Sequence, residues 1–336
     1  MRDARALVRL LADPSACEAV ADWTAVIALA RAESLVGSLA WRLHGRALPP
    51  RVEALFEAAR RDGEAVRVQA LWEAEMARRA LAPLGAPVIL LKGSAYAAAG
   101  LEAGRGRSIG DLDILVPRQS LAEAEQALLA AGWEWVKEDS YDDLYYRRWM
   151  HELPPLIHRE RDRMIDVHHA ILPLTARPKP DMERMIGDRV ELANGLSVLS
   201  PADMIVHAAA HLFADGDLAG GVRNLWDIDR LVRQFSERGF EFTVELRESA
   251  WQHDLTPAVA RALRLARSLY GTPVDPLLAG QARPTDRLYR RRLLARDGWG
   301  RQRRPLTRLG FYVRSHWLRM PPLMLARHLW VKARRR

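Results

Sequence analysis

The stretch GRSIGDLDILVP, residues 106–117, carries two aspartates one residue apart at the start of an apolar run. Successive residues of a β-strand point to opposite faces, so Asp111 and Asp113 project to the same face. Leu112 and Ile114 project to the other face, which can be buried. Two neighbouring carboxylates repel each other unless a cation lies between them. The stretch therefore predicts a buried strand whose polar face holds a cation.

A third carboxylate occurs further along the chain, in MIDVHHAI. Alternation places Ile165 and Val167 on one face of a predicted strand and Asp166 with His168 on the other. Mg²⁺ is the expected cation, because it takes carboxylate oxygens and keeps positions open for phosphate. If this strand lies beside the first, Asp166 completes a site for two metal ions. His168 could orient a metal-bound water or an acceptor.

The segment VILLKGSAY lies upstream of the two aspartates and predicts a strand, a glycine turn and a short helix. Gly93 lets backbone amides approach a phosphate, Ser94 offers a hydroxyl, and the helix start presents free N–H groups. Lys92 and either Arg105 or Arg107 can add charge-assisted contacts. The segment predicts an anion cradle beside the metal site.

Each of these features has a simpler reading when taken alone. A Gly-Ser pair after a strand is usually only a turn, and D-x-D is common by chance. Their order is more specific, because strand, Gly-Ser, helix, D-x-D strand and a later strand with a lone Asp resemble the nucleotidyltransferase fold of DNA polymerase β and the aminoglycoside nucleotidyltransferases. More closely, VILLKGSAY, GRGRSIGDLDILV, RMIDVHHAI, SPADMIVHAAAHLFADG and RNLWDIDRLV resemble a large, poorly characterised family of bacterial nucleotidyltransferases. The resemblance covers about residues 85–235.

This resemblance implies an α+β fold in which a mixed sheet with helices is flanked by N- and C-terminal helical regions. It also implies an enzyme that transfers a nucleoside monophosphate from an NTP such as ATP, with two Mg²⁺ ions, and releases pyrophosphate. The catalytic and metal-binding positions fall on Asp111, Asp113 and Asp166. The nucleotide-binding positions fall on Lys92, Gly93, Ser94 and Arg107, with His168 beside them.

The acceptor is not encoded in these motifs. A small molecule, a peptide or a polysaccharide precursor is the expected acceptor class, and transfer to tRNA or to a protein is the alternative. Two readings from other classes stay open, namely a catalytically inactive NTP-binding protein and a membrane-associated protein built on the same fold. A protein kinase is disfavoured, because no H-x-D followed by Asn at the required distance comes after VILLK.

Hydrophobic spacing predicts four segments along the chain. Residues 1–82 read as helical, 83–199 as the catalytic α/β part, 200–280 as helical, and 281–336 as a basic amphipathic tail. Within the α/β part, SLAEAEQALLAAG predicts a helix capped by Ser120. WEWVKED, LYYRRWMHE and PPLIHRE predict further strands, which we expect to extend the sheet in antiparallel fashion.

Charge and composition bear on location and partners. The chain has 336 residues, a net charge of +9 and a single cysteine, Cys17, so an internal disulfide is excluded. Residues 281–336 carry 17 Lys and Arg against two Asp, which makes the rest of the chain acidic. Such a tail attracts RNA, DNA or an anionic membrane, or is simply a helix packed on the body. Charges interrupt the N-terminal apolar run and no long apolar run exists. We therefore expect a cytoplasmic protein that can be peripheral at the inner membrane face.

Two further residue pairs invite a functional reading. His207 and His211 lie four apart on one predicted helix, but the intervening residues lack the glutamate of a metalloprotease. They are expected either to line the cleft between helices and sheet or to be hydrogen-bonded core residues. Arg223 and Asp227 are also four apart and predict an ion pair on one helix.

Overall fold

A seven-stranded mixed sheet organises the molecule. The computed structural model describes residues 3–137, 146–214 and 217–319. Within them the strands follow the spatial order β3-β4-β5-β2-β1-β7-β6. Their bounds are β1 Ile89–Leu90, β2 Leu112–Leu115, β3 Trp133–Trp135, β4 Leu156–His158, β5 Met164–His168, β6 Val190–Glu191 and β7 Ser197–Val198.

Strand direction decides which side chains meet. β2 pairs with β5 in parallel, and β1 pairs with β7 in parallel, whereas the other neighbours are antiparallel. Every residue of β2 is buried, as the apolar pattern predicts. The β2–β5 register sets Asp113 directly beside Asp166. The mixed sheet and the antiparallel extension through β3 and β4 are as expected from the sequence.

Helices surround this sheet and make up most of the described chain. Their bounds are α1 Arg5–Ala12, α2 Trp23–Ala32, α3 Val36–Arg42, α4 Pro50–Leu81, α5 Lys92–Ala98, α6 Leu121–Ala130, α7 146–149, α8 Met182–Gly187, α9 Pro201–Ala214, α10 Gly221–Phe235, α11 Phe240–Gln252, α12 Thr256–Tyr270, α13 Pro276–Ala279, α14 Asp286–Leu293 and α15 Pro305–Arg319.

The flanking helices share one apolar core with the sheet. The long helix α4 begins at Pro50, where proline costs no hydrogen bond, and packs on α5 and α6. Helix α9 packs on α10, α11 and α12, and α1 joins the N-terminal helices to α12. One cluster of buried apolar residues has members from Ala4 near the N-terminus to Phe311 in α15. The α+β architecture with flanking helical regions is therefore confirmed, while the division into four segments stays a prediction.

Some local expectations differ from the structure. Residues 146–149 are helical, not part of a strand, and residues 138–145, which hold the beginning of LYYRRWMHE and the end of WEWVKED, lie outside the described chain. Ser120 precedes α6 without a capping bond from its side chain. Ser200 does cap α9, because its Oγ accepts from the Asp203 N–H at 3.2 Å. The two-residue strands β6 and β7 were too short to be recognised in the sequence.

Asp203 ties α9 to α11 and provides a test of stability against pH. Burial alone would raise its pKa, but hydrogen bonds from His253, Ser249 and Ser200 hold the pKa below its ordinary value. A depressed folded-state pKa gives stability above the ordinary pKa that is lost as pH falls through the folded-state pKa. We expect the free energy of unfolding to fall more steeply below about pH 4 in the wild type than in Asp203→Asn. Urea unfolding at several pH values measures this, and equal slopes would contradict the assignment.

Candidate active site

A cavity of about 500 Å³ opens at the strands that carry the aspartates. This volume is within the range of small-molecule sites. Side chains from β2, β5, α5 and α9 and from residues 146–152 line it. Six of the residues expected at a functional site line the cavity, namely Lys92, Gly93, Arg107, Asp111, Asp113 and Asp166.

Three aspartates converge in this cavity. Asp113 is buried in β2 and Asp166 is half-buried beside it in β5. Asp111 immediately precedes β2 and is exposed. One oxygen of each carboxylate lies within 4.8 Å of the others. The structure thus brings together the three aspartates predicted from the sequence, although only Asp113 and Asp166 belong to strands.

The electrostatics of the cluster suit a divalent cation. Burial raises the pKa of Asp166 to about 7, with help from the negative charges of Asp113 and Glu152. Burial would also raise the pKa of Asp113, but hydrogen bonds from His168 and Lys92 and their charges hold it well below its usual range. A carboxyl whose pKa rises beside an ionised neighbour marks a surplus of negative charge. The three carboxylates therefore fit a hard metal ion such as Mg²⁺.

Lys92, the first residue of α5, contacts this cluster. Its Nζ donates to Asp113 Oδ1 at 2.6 Å. Burial alone would lower the pKa of the ammonium group, but the charge and hydrogen bond of Asp113, together with the charges of Asp111 and Glu152, outweigh burial and raise the pKa, so Lys92 stays charged. The Lys92 backbone has a φ of +49°, a left-handed conformation uncommon outside glycine. Such local strain is typical of functional sites.

Gly93 leaves room for the guanidinium of Arg107. A Cβ at position 93 would lie 2.4 Å from Arg107 Nη1. The Arg107 Nε donates to Asp227 Oδ2 at 3.0 Å, and its guanidinium lies 5.7 Å from the centre of the Tyr96 ring. Arg107 is therefore held from three sides, with one edge facing the cavity.

The N-terminal helices fix the loop that carries Arg107. Gly106, with a φ of +60°, lies against Gly37 of α3, where a Cβ would come within 2.3 Å of the Gly106 carbonyl oxygen. Gly63 of α4 approaches the same residue, at 3.2 Å from a Cβ position to the Gly106 Cα. Only glycine permits these backbone approaches. Helices outside the sheet thus set the position of a cavity residue.

Ser94 and Arg105 are not brought to the cavity. Ser94 is buried, and its Oγ has no hydrogen-bond partner within the described residues. It lines a small space on the other side of Gly110. Arg105 is mostly exposed and lies 6.0 Å from the Trp41 ring centre. Of Arg105 and Arg107, the two arginines considered from the sequence, Arg107 lines the cavity.

Histidines form another wall of the site. His168 Nε2 lies 3.1 Å from Asp113 Oδ1, so it shares the polar face of β5 with Asp166 as predicted. His211 lines the cavity and His207 is buried one turn earlier in α9. His211 therefore lines the cleft, and His207 is a buried residue, which are the two positions expected for this pair.

Three residues of the site escaped the sequence analysis. His151 and Glu152 line the cavity from a segment read as a strand, and Asp227 was read only as the partner of Arg223. Arg223 and Asp227 do form that pair at 3.7 Å, but Asp227 also takes Arg107. The adjacent His and Glu in WMHE were the available signal for the first two.

Substitution of Gly93 by alanine tests the packing of Arg107. The added methyl group would lie 2.4 Å from Arg107 Nη1, which is the end of a side chain, so the guanidinium must move to make room. We expect the affinity for the NTP that the family resemblance implies to fall about tenfold, which corresponds to the loss of one charge-assisted contact, with little change in unfolding free energy. Calorimetry measures the affinity. Gly187→Ala, where a methyl group meets nothing within 4 Å, is the control, and equal affinities in the two variants would contradict the prediction.

Comparison with known protein families gives a match for this chain. A family model described as an uncharacterised nucleotidyltransferase matches residues 19–271. The matched region includes α2 to α12 and the entire sheet. No curated protein gives a significant match.

Proposed function

Because the chain belongs to this nucleotidyltransferase family, we propose that it transfers a nucleoside monophosphate from an NTP to an acceptor hydroxyl or phosphate and releases pyrophosphate. The family match covers more than half of the chain and supports transferase activity in general terms. The identity of the donor nucleotide, of the metal and of the acceptor is proposed in addition to this general activity.

The observation that carries the proposal is the convergence of Asp111, Asp113 and Asp166 in one cavity. Asp111 and Asp113 would bind Mg²⁺, and Asp166 would hold the catalytic ion and favour deprotonation of the acceptor. Bound Mg²⁺ would supply positive charge to the attacking and leaving oxygens.

The cations at the cavity provide the counterpart for a triphosphate. The ammonium group of Lys92 and the guanidinium of Arg107 both line the cavity and remain charged. Gly93 keeps the space in which Arg107 lies. Ser94 does not line the cavity, so its contact with phosphate stays a prediction from the family pattern.

The acceptor class follows from the proposed chemistry only in part. A small molecule, a peptide or a polysaccharide precursor has an accessible hydroxyl or phosphate that could enter a cavity of this size. Transfer to tRNA or to a protein is the alternative, and NTP binding without turnover would indicate an inactive member of the family.

Calorimetry of the four NTPs, with and without Mg²⁺, tests the proposal. We expect Mg²⁺-dependent binding of at least one NTP to the wild type and its loss in the Asp111→Asn/Asp113→Asn double variant. The control is Asp162→Asn, an exposed aspartate in the β4–β5 turn. NTP binding that ignores both Mg²⁺ and the double substitution would contradict the proposed site.

A second proposal concerns α15, where four large apolar side chains are exposed on one face. Leu306, Leu309, Val313 and Trp317 are each more than half exposed, and their spacing of three, four and four residues places them on a single stripe. Arg308 in the same helix is exposed, as are Arg301 and Arg303 shortly before the helix begins. An apolar stripe with basic neighbours fits the surface of an anionic membrane better than RNA, whose binding requires no apolar stripe.

We therefore propose that the protein is cytoplasmic and associates peripherally with the inner membrane face. No described helix meets the length and hydropathy required to cross a bilayer. Sedimentation of the full chain with phosphatidylglycerol vesicles should exceed that with phosphatidylcholine vesicles, and Leu309→Ser/Val313→Ser should reduce it. Leu277→Ser, at an exposed leucine on another helix, is the control. Binding to RNA but not to anionic vesicles would overturn this proposal.

A further inference from the structure

Beside the three aspartates, two imidazoles and a carboxylate converge on a second point. The potential ligand atoms of His151, Glu152 and His168 lie within 4.8 Å of one another. Glu152 Oε2 is 3.3 Å from His168 Nδ1 and 3.7 Å from His151 Nε2. Nitrogen ligands distinguish this group from the oxygen-only cluster that suits Mg²⁺.

The contacts of His168 are those of a metal-binding histidine. Its Nε2 lies 3.1 Å from Asp113 Oδ1, so an Nε2–H donates to that carboxylate and leaves the lone pair of Nδ1 directed toward Glu152. Metal-binding histidines usually donate their other ring N–H to a carboxylate, a backbone carbonyl or a water, which fixes the tautomer in this way.

Hydrogen bonds from the His169 and Ala170 N–H groups to the His151 carbonyl hold the backbone of His151, and they leave the position of its imidazole to be explained. Its Nδ1 is buried and has no hydrogen-bond partner within the described residues. Its ring lies 5.3 Å from the ring of His168, centre to centre. The 3.7 Å from its Nε2 to Glu152 Oε2 is too long for a hydrogen bond.

The spacing is that of ligands around a tetrahedral ion. Bonds of about 2.0–2.1 Å from Zn²⁺ to nitrogen or oxygen separate neighbouring ligand atoms by roughly 3.3–3.4 Å. The 3.3 Å from Glu152 Oε2 to His168 Nδ1 equals this separation, and the 3.7 Å to His151 Nε2 slightly exceeds it. Two histidines and one glutamate form a ligand set that holds Zn²⁺ and leaves one coordination position open.

We propose that His151, Glu152 and His168 bind a Zn²⁺-like transition metal ion at a position separate from the three aspartates. His151 and Glu152 line the cavity, so an ion bound by them would border the space that substrates enter. Only this use of the ion rests on the proposed transferase function, whereas the binding itself does not.

Co²⁺ titration of the chelator-treated full chain tests the site, because tetrahedral Co²⁺ absorbs visible light far more strongly than Co²⁺ bound octahedrally by carboxylates. We expect one equivalent of strongly absorbing Co²⁺ that Zn²⁺ displaces. His151→Ala and Glu152→Gln should each weaken binding at least about tenfold, whereas Asp111→Asn should not. His44→Ala, at an exposed histidine, is the control.

Circular dichroism of each variant shows whether it is folded, and Glu152→Gln, which keeps the shape of the side chain, serves if His151→Ala does not fold. Failure of the wild type to give the tetrahedral spectrum would overturn the proposal. A spectrum lost in Asp111→Asn but kept in His151→Ala would assign the ion to the aspartates. Calorimetry of NTP binding is independent of this spectrum, so failure of the proposed function and failure of this site can be told apart.

Discussion

Replacing Asp166 by asparagine is expected to lower the rate of nucleotidyl transfer about a thousand-fold while Mg²⁺-dependent NTP binding is largely kept. Asp166 lies beside Asp113 in the parallel β2–β5 register, and the substitution removes one carboxylate charge without changing its shape. Stabilisation of transition-state charge at a metal site is worth several kcal/mol, and about 4 kcal/mol corresponds to this rate. Asp111 and Asp113 remain to hold the ion that accompanies the NTP.

Pyrophosphate release under saturating NTP measures the rate, and calorimetry measures the affinity in the same variant. Asp162→Asn makes the same chemical change in the β4–β5 turn and should leave both quantities unchanged. Equal turnover in Asp166→Asn and the wild type would remove Asp166 from the proposed catalytic group.

Substitution of Asp227 by alanine is expected to lower the free energy of unfolding by about 3 kcal/mol. Asp227 is 2% exposed and pairs with both Arg107 and Arg223. Arg223 is 5% exposed, and its Nε and Nη1 already lack hydrogen-bond partners within the described residues. Without the Asp227 carboxylate, the guanidinium groups of Arg107 and Arg223 lose their negative partner in a poorly hydrated environment. Burying a charge without a partner destabilises the folded state.

Urea unfolding monitored by tryptophan fluorescence gives the free energy. Glu237→Ala, at an exposed position just after α10, should change it by less than about 0.5 kcal/mol. NTP affinity should also fall in Asp227→Ala, because Arg107 loses the contact that orients it. A change in unfolding free energy no larger than that of Glu237→Ala would show that the buried pair contributes little.

The sequence was most informative where local pattern and chemistry coincide. Alternation in DLDILV and MIDVH predicted both strands and the faces that carry Asp113 and Asp166, since Leu112 and Ile114 of β2 and Ile165 and Val167 of β5 are buried. The pair Ser200 and Pro201 predicted the start of α9, and the structure has the capping bond from the Asp203 N–H to Ser200 Oγ. These signals depend only on neighbours in the chain.

Contacts between distant segments could not be read in the same way. Arg107 and Asp227 meet across the fold, and Gly37 meets Gly106 because helices α3 and α4 pack against that loop. Glu152 was missed because aromatic and charged residues around it resemble an exposed strand. In each case tertiary packing, which leaves no periodic trace, decided the position.

The parallel pairing of β2 with β5 has a consequence for how the protein folds. Helix α6 and the β3–β4 hairpin lie between the two strands in sequence, so Asp113 and Asp166 meet only after this whole crossover has closed. Loop-closure entropy makes such non-local pairing slow relative to helix formation. Metal affinity would thus arise late during refolding, and the appearance of a metal-dependent signal in a stopped-flow experiment would time the closure of the crossover.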